Sequence, residues 1–216
     1  MSWFSKYPNW LYSESIELSN NSIYKEEYQF INRTFVSAGY INPEPQQHLI
    51  KYIDGANIDL KSFDDKLYLK LNAGKLQPVL DSLKMFRESG VWLEITNLVI
   101  PSWTDDLDMI ARMCDWLYDN SFEDVPLHFS RFHPMHKLTQ LPPTPVSTLV
   151  KARETAMNAG LKFVYIGNVP GNDASNTYCP GCNEIIIERR GYQILQKNLS
   201  AGKCNNCGES IPGIWD

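Results

Sequence analysis

The 216-residue chain lacks the features that would place it in a membrane or on nucleic acid. No apolar run approaches the ~20 residues that a membrane-spanning helix needs. The first ten residues do not follow the basic-then-apolar pattern of a signal peptide, so we expect a cytoplasmic protein. Positive charge is also scarce. A net charge of -5 and a pI near 5.4 argue against nucleic acid or an anionic membrane as the main partner.

Glycine-rich phosphate loops are missing as well. No predicted strand is followed by G-x-G-x-x-G or by a Walker motif, so we do not expect a nucleotide held by its pyrophosphate. Cysteine is limited to five residues, and four of them form two Cys-x-x-Cys pairs. In a cytoplasmic chain this usage favours a metal site over disulfides.

What is present is an ordinary globular composition, 43% hydrophobic, with a regular alternation of elements after residue 33. Five predicted strands alternate with four helical connections, which is typical of a parallel sheet built from right-handed crossovers. The predicted fold class is therefore α/β, as an open sheet or as part of a barrel. Residues 1–33 are rich in aromatic side chains without clean periodicity, and we leave them unassigned. The predicted strands cover residues 34–38, 56–63, 92–100, 125–130 and 162–166.

Helix starts are predicted from capping residues. Asn42 precedes Pro43, and Thr144 precedes Pro145, so each pair fits an N-cap followed by a first-turn proline. Thr104, which is followed by two aspartates, is predicted to cap the helix between the third and fourth strands. The apolar spacing of that helix places Cys114 in the core and not in a reactive position.

The second predicted strand ends in charge. Asp59 and Lys61 are two residues apart, so an acid and a base point the same way near the carboxyl end of that strand. Ligands of parallel α/β folds bind at this end of the strands. The alternative interpretation is an ion pair that opens a loop, and this stretch alone does not decide between the two.

The strongest chemical signal is the pair of cysteine motifs in the predicted C-terminal module, residues 173–216. Cys179 and Cys182 form one pair, Cys204 and Cys207 form the other, and 21 residues separate the pairs. Four thiolates close a tetrahedral shell, which predicts a structural zinc site with rubredoxin-like iron as the alternative. The segment is too small to fold on its own core, so the metal would stabilise it. Glu184 to Glu188 and Tyr192 to Leu195 are predicted to form a hairpin between the two pairs.

Five stretches together resemble one known family. In chain order they are residues 37–45, 56–61, 94–101, 128–134 and 165–171, and the last leads into the cysteine pairs. They resemble the radical SAM proteins of the AmmeMemoRadiSam system, which are relatives of the pyruvate formate-lyase activating enzymes. The resemblance covers about residues 34–215, and the motifs are specific as a set.

The resemblance implies a partial (β/α) barrel over residues 34–172, followed by the cysteine-rich module. It also implies S-adenosylmethionine and a [4Fe–4S] cluster as cofactors, with reductive cleavage of the former to a 5′-deoxyadenosyl radical. By the same resemblance, Asp59 and Lys61 meet S-adenosylmethionine at a strand end, and His133 lies near its adenosine. Memo-like and AMMECR1-like proteins are the partners that the resemblance implies.

The chain departs from the family at the cluster. The family's Cys-x-x-x-Cys-x-x-Cys motif does not occur, nor does the glycine-rich motif that holds the ligand's amino group. We therefore expect a truncated or split radical SAM enzyme that is inactive as this chain alone. Two other hypotheses stay open. One is a non-catalytic interaction module in which the metal ribbon docks a protein. The other is a two-chain enzyme in which a separate polypeptide supplies the missing barrel strands and the cluster.

Overall fold

The computed structural model describes residues 33–135, 138–191 and 193–215. Strands and helices alternate through the first part, and short strands make up the last. The elements are β1 (Thr34–Ser37), α1 (Pro43–Leu49), a 3-10 turn (Ile50–Tyr52), β2 (Gly55–Asp59), α2 (Asp65–Asn72), α3 (Gln77–Glu88), β3 (Trp92–Val99), α4 (Leu107–Asp119), β4 (Leu127–Arg131), α5 (Val146–Asn158), β5 (Val164–Gly167), a 3-10 turn (Asp173–Ser175), β6 (Thr177–Tyr178), β7 (Ile185–Arg190), β8 (Gln193–Lys197), β9 (Leu199–Ser200) and β10 (Lys203–Cys204).

The main sheet has five strands in the order β1-β2-β3-β4-β5, and all neighbouring pairs are parallel. Spatial order follows chain order, so crossovers of one hand carry every helix to the same face of the sheet. This is the curved-sheet arrangement of a partial barrel, and the α/β prediction is confirmed.

One face of the sheet packs on the helices. Ile58 on β2, Ile95 on β3 and Phe129 on β4 are almost fully buried there, in one cluster with α3, α4 and α5. Cys114 on α4 belongs to the same cluster, as predicted, and has no exposed surface. Burial raises the pKa of its thiol to about 12, so this cysteine stays protonated and unreactive.

The residues between these core positions point to the opposite face, which we call the inner face. They are mostly polar and only partly buried, in contrast to the aliphatic helix side. The inner face is defined here by Asn57, Asp59, Glu94, Thr96, His128, Ser130 and Tyr165.

Two of the predicted helix caps are wrong. Thr104 does not cap α4, because Asp106 holds that position and accepts from the backbone N–H of Met109 at 3.0 Å. Thr144 does not cap α5, whose N-cap position is occupied by Pro145. Asn42 does occupy the N-cap position of α1, but its side chain makes no capping hydrogen bond.

Both threonines are fully buried and join loops to strand ends instead. The Thr104 hydroxyl donates to the carbonyl of Leu98 and accepts from the N–H of Ile100, each at 2.8 Å. The Thr144 hydroxyl donates to the carbonyl of Val99 and accepts from the N–H of Phe132. These bonds fix the loops that follow β3 and β4, at the carboxyl edge of the sheet.

The C-terminal ribbon consists of a three-stranded antiparallel sheet, β6-β7-β8, and the β9-β10 pair. The predicted hairpin is present, with β7 extending to Arg190 and β8 beginning at Gln193. Tyr192, which was predicted to open the second strand, lies outside the described residues. Ile186 and Ile187 pack in one buried cluster with Phe163, which precedes β5, and with Tyr165, which lies on β5. The ribbon therefore lies against the inner face beside β5.

Among the described residues, β1 pairs only with β2, and its Val36 is 49% exposed on the inner face. The unassigned segment, residues 1–33, lies outside the described residues apart from Arg33. None of the described helices is both long and apolar enough to cross a membrane.

Candidate functional site

The carboxyl end of β2 carries the predicted pair of charges. Lys61 Nζ lies 2.7 Å from Asp59 Oδ2, so the two side chains do point the same way. About a third of each side chain remains exposed, 36% for Lys61 and 34% for Asp59. An ion pair this exposed contributes at most ~1 kcal/mol to folding, so stability alone is a weak reason for placing it here.

The backbone under this pair is held in place. The buried Tyr68, on α2, accepts through its hydroxyl oxygen from the backbone N–H of Lys61 at 3.1 Å. Burial raises the pKa of Tyr68 to about 12, so its hydroxyl stays neutral. The turn after β2 is therefore fixed, while the two charged groups remain reachable from solvent.

Small and polar side chains surround the pair on the inner face. Thr96 donates to Asn57 Oδ1 at 2.9 Å, which joins β3 to β2. Ser130 and Gly167 face each other on β4 and β5, where a Cβ added to Gly167 would lie 3.2 Å from the Ser130 hydroxyl. No bulky side chain fills these positions, so a ligand can approach the backbone of the sheet.

His133 follows β4 at the same edge and is exposed. Two contacts hold the residues just before His133 in place. Arg131 Nε donates to the carbonyl of Thr144 at 2.8 Å, and the side chain of Phe132 is buried. No hydrogen bond joins His133 to Asp59 or Lys61 in the part of the chain that the structure describes. β4 lies two strands from β2, which is about 10 Å at the usual strand spacing.

A second polar cluster, which sequence reasoning missed, lies deeper on the inner face. Glu94 on β3 has no exposed surface, and its Oε2 lies 2.7 Å from Nε2 of His128 on β4. The indole N–H of Trp92 donates to Glu94 Oε1 at 3.2 Å. The signal that could have revealed it is a glutamate inside an otherwise apolar strand, because a buried carboxylate needs partners.

The four ribbon cysteines converge, as predicted. Cys179 Sγ lies 3.5 Å from Cys207 Sγ, Cys182 Sγ lies 3.8 Å from Cys204 Sγ, and all four sulfur atoms lie within 4.8 Å of one another. A tetrahedral ion with Zn–S bonds of about 2.3 Å separates its sulfur ligands by about 3.8 Å. The four thiols therefore fit one zinc ion or one iron ion.

The two knuckles have the same backbone geometry. The N–H of Asn183 donates to the carbonyl of Cys179, and the N–H of Gly208 donates to the carbonyl of Cys204, so each turn closes four residues after its first cysteine. Asn183 and Gly208 both have positive φ, 59° and 78°. Because the two turns are equivalent, each directs its two thiols toward the same metal position.

The comparisons with known proteins bear mainly on the sheet. An uncharacterized protein of Methanocaldococcus jannaschii is 39% identical over 207 residues, which cover 95% of this chain and 59% of that protein. No family model matches the chain. Among solved structures, a domain of a pyruvate-formate lyase-activating enzyme from Bacteroides vulgatus matches with a TM-score of 0.55 at 17% identity, covering 68% of this chain and 88% of that domain.

Two larger enzymes share the same sheet. Streptococcus suis SuiB, solved with S-adenosylmethionine bound, gives a TM-score of 0.53 at 16% identity, over 68% of this chain and 35% of SuiB. A radical SAM methyltransferase from Sphaerobacter thermophilus gives 0.50 at 10% identity, over 62% of this chain and 39% of the enzyme. The chain has the radical SAM fold. It spans 59% of the length of the Methanocaldococcus jannaschii relative.

The residues present do not fit the [4Fe–4S] cluster of radical SAM enzymes. That cluster needs cysteine thiolates with one iron left open for S-adenosylmethionine, whereas four of the five cysteines here meet at one point in the ribbon. The fifth, Cys114, is fully buried on the helix side of the sheet. The exposed charges of Asp59 and Lys61 are, in contrast, compatible with a zwitterionic ligand at the carboxyl edge.

Proposed function

We propose that this chain supplies part of the S-adenosylmethionine site of a cytoplasmic radical SAM enzyme similar to the pyruvate formate-lyase activating enzymes. The observation that carries the proposal is the ion pair of Asp59 and Lys61. Both charges reach solvent at the carboxyl end of β2, in a sheet with the radical SAM fold. This is the edge at which parallel α/β folds bind their ligands.

Each residue has a distinct part in this proposal. Lys61 would donate to the carboxylate of S-adenosylmethionine, and Asp59 would accept from its ammonium group or a ribose hydroxyl. His133, about 10 Å away across two strands, would contact the adenosine end of the same molecule. In radical SAM enzymes, a bound [4Fe–4S] cluster reductively cleaves S-adenosylmethionine and gives a 5′-deoxyadenosyl radical.

The cluster would come from residues outside this sequence, because its five cysteines do not fit it. We infer that a separate polypeptide segment supplies it together with further barrel strands. The edge of β1, with Val36 half exposed, is where such strands would pair. Memo-like and AMMECR1-like proteins are candidate partners by family resemblance. Affinity purification of the tagged chain from its native cells, followed by mass spectrometry, tests both kinds of partner.

Calorimetric titration of S-adenosylmethionine into the chain tests the binding proposal. The Asp59→Asn and Lys61→Met substitutions should each weaken binding by about tenfold to a hundredfold, because a charged hydrogen bond contributes about 1.5–3 kcal/mol. The matched control is the ion pair of Asp124 and Lys162, which has a 2.8 Å separation and similar exposure, 29% and 44%, on residues that precede β4 and β5. Asp124→Asn and Lys162→Met should leave the affinity unchanged.

Two results would overturn this assignment. One is the absence of any binding heat that S-adenosylmethionine can saturate. The other is equal weakening by the variants of both ion pairs, which would mean that the ligand responds to net charge and not to the edge of β2. A chain that holds its metal, binds no cofactor and forms a stable complex would instead support the metal-ribbon interaction module.

A further inference from the structure

The Glu94 and His128 pair is held from two sides by residues that take no part in the S-adenosylmethionine proposal. Glu94 Oε2 lies 2.7 Å from His128 Nε2, and Trp92 donates to the other carboxylate oxygen. With Glu94 ionised, its carboxylate only accepts hydrogen bonds, and the proton between the two groups then belongs to Nε2 of His128. The orientation and the tautomer of the ring are therefore set from the β3 side.

The second side of the His128 ring rests on the next strand. The ring of Tyr165, on β5, stacks on it with centroids 5.0 Å apart and an interplanar angle of 19°. Tyr165 is itself buried, and burial raises the pKa of its hydroxyl, so the ring stays neutral. Two directions of the imidazole are thus blocked, one by a carboxylate and one by an aromatic ring.

Tyr165 is in turn held by the ribbon. Its hydroxyl lies 3.0 Å from the Thr177 hydroxyl on β6, which accepts from Arg189 Nη1 on β7 at 2.7 Å. The guanidinium carbon of Arg189 lies 5.9 Å from the centre of the Tyr165 ring. Arg189 also donates to the carbonyl of Ser175, while its Nε and Nη2 are buried with no hydrogen-bond partner among the described residues.

Burying a guanidinium with two unpartnered nitrogen atoms is unfavourable unless its charge is compensated. Burial lowers the pKa of Arg189, and the Tyr165 hydroxyl and the Glu94 carboxylate oppose this shift. The cation of the ribbon and the carboxylate of the sheet thus interact electrostatically across the ring of Tyr165. The ribbon does more than pack on the sheet, because it contributes a charge to the inner face.

The metal ligands belong to the same packed unit. Cys179 and Cys204 lie in one buried cluster with Tyr165 and with Ile186 and Ile187, which precede Arg189 on β7. A metal that joins the two knuckles fixes β7, and β7 carries Arg189. We propose that the metal-loaded ribbon is a positioning element for the inner face, and that Arg189 and Thr177 hold His128 in place through Tyr165.

This arrangement leaves one polar atom of His128 for a ligand. Nε2 is committed to Glu94 and one ring face to Tyr165, while 20% of the side chain is exposed. The remaining nitrogen, Nδ1, acts as a hydrogen-bond acceptor in this tautomer. The ligand group that suits it is a hydroxyl or an N–H of a substrate lying on the inner face.

Nuclear magnetic resonance of the ¹⁵N-labelled, zinc-loaded full chain tests the positioning role. The Nε2–H signal of His128 and the indole N–H signal of Trp92 report the hydrogen bonds that these two side chains make to Glu94. His128→Gln and Trp92→Phe assign the two signals. Arg189→Met and Thr177→Val should each speed the solvent exchange of the His128 signal at least tenfold, with zinc still bound.

The ribbon offers matched controls for these variants. Arg190→Met removes a neighbouring exposed cation and should leave both signals unchanged. Thr177→Ser keeps the hydroxyl and should retain the slow exchange that Thr177→Val loses. Removing zinc with a chelator should abolish the His128 signal, and adding zinc back should restore it.

Unchanged signals in zinc-loaded Arg189→Met and Thr177→Val would overturn the proposal, as would signals that persist without metal. A chain that binds no zinc or iron would also overturn it, since the positioning element depends on the metal. S-adenosylmethionine is absent from the samples. A failure of cofactor binding would therefore leave these outcomes untouched, and the two proposals can fail separately.

Discussion

Gly39 shows how little space the carboxyl edge of β1 leaves for a side chain. Its φ is +68°, and a Cβ built on it would lie 2.6 Å from Ile58 Cγ2 and 3.3 Å from Val79 Cγ1. Ile58 and Val79 have no exposed surface, so neither can move aside into solvent. The chain therefore turns directly over the core at this residue, and only glycine fits.

Gly39→Ala should destabilise the fold by about 2–4 kcal/mol, about 1 from the positive φ and the rest from overpacking. Gly90→Ala is the matched control, since Gly90 has φ +79° but nothing within 4 Å of its added Cβ. The Gly90→Ala variant should lose only about 1 kcal/mol of unfolding free energy, because only the positive φ is unfavourable there. Urea denaturation of both variants measures the difference, and equal losses would show that the contact with Ile58 is relieved at no cost.

Local sequence patterns predicted the charged pair and the cysteine site, but not the hydrogen-bond partners of the threonine hydroxyls. Asp59, Lys61 and the cysteine pairs could be found because charge alternation and Cys-x-x-Cys spacing are local signals. Thr104 and Thr144 resembled helix caps, yet their hydroxyls bond to backbone that lies up to 45 residues away. Glu94 was missed for a related reason, since its partner His128 lies on another strand.

At the scale of elements, the alternation of strands and helices in a parallel sheet followed from the sequence because each strand and helix has its own periodicity. The order of the strands within the sheet did not. The strand ends were less certain: the fourth strand was predicted from residue 125, whereas β4 begins at Leu127. The ribbon depends on a different force. Among the described residues, the ribbon contributes only six side chains to its buried cluster, and two of these are cysteines. A bound metal would therefore add about 10 kcal/mol or more to its stability.

Cys179→Ser and Cys204→Ser should each reduce the bound metal from about one ion per chain to a small fraction, since a structural site needs all four ligands. The ribbon strands should then lose protection from hydrogen exchange, while β2 and β3 keep theirs. Cys114→Ala, away from the site, should retain the metal and lose about 1–2 kcal/mol of stability through its cavity. Elemental analysis and hydrogen exchange measure both effects, and full metal content in Cys204→Ser would contradict the four-thiolate site.

At the scale of the whole molecule, the proposed radical SAM activity and the cysteines of this sequence point to two different metal sites. That activity would use a [4Fe–4S] cluster at the carboxyl edge, whereas the cysteines that converge lie in the ribbon. The polar groups of the inner face lie between these two places. Under this proposal, the sheet and the ribbon provide a ligand-binding surface, and the redox centre comes from residues outside this sequence.

The chain purified without oxygen should therefore take up no cluster when iron and sulfide are added. We expect about one zinc or iron ion per chain, no broad visible absorption from a cluster, and no 5′-deoxyadenosine when S-adenosylmethionine and dithionite are supplied. Cys179→Ser separates the two sites, because iron bound by the ribbon should disappear in that variant. About four irons per chain, retained in Cys179→Ser with visible absorption and 5′-deoxyadenosine formation, would mean that other side chains hold a cluster. The chain would then be a complete radical enzyme, and the proposal of a second polypeptide segment would be wrong.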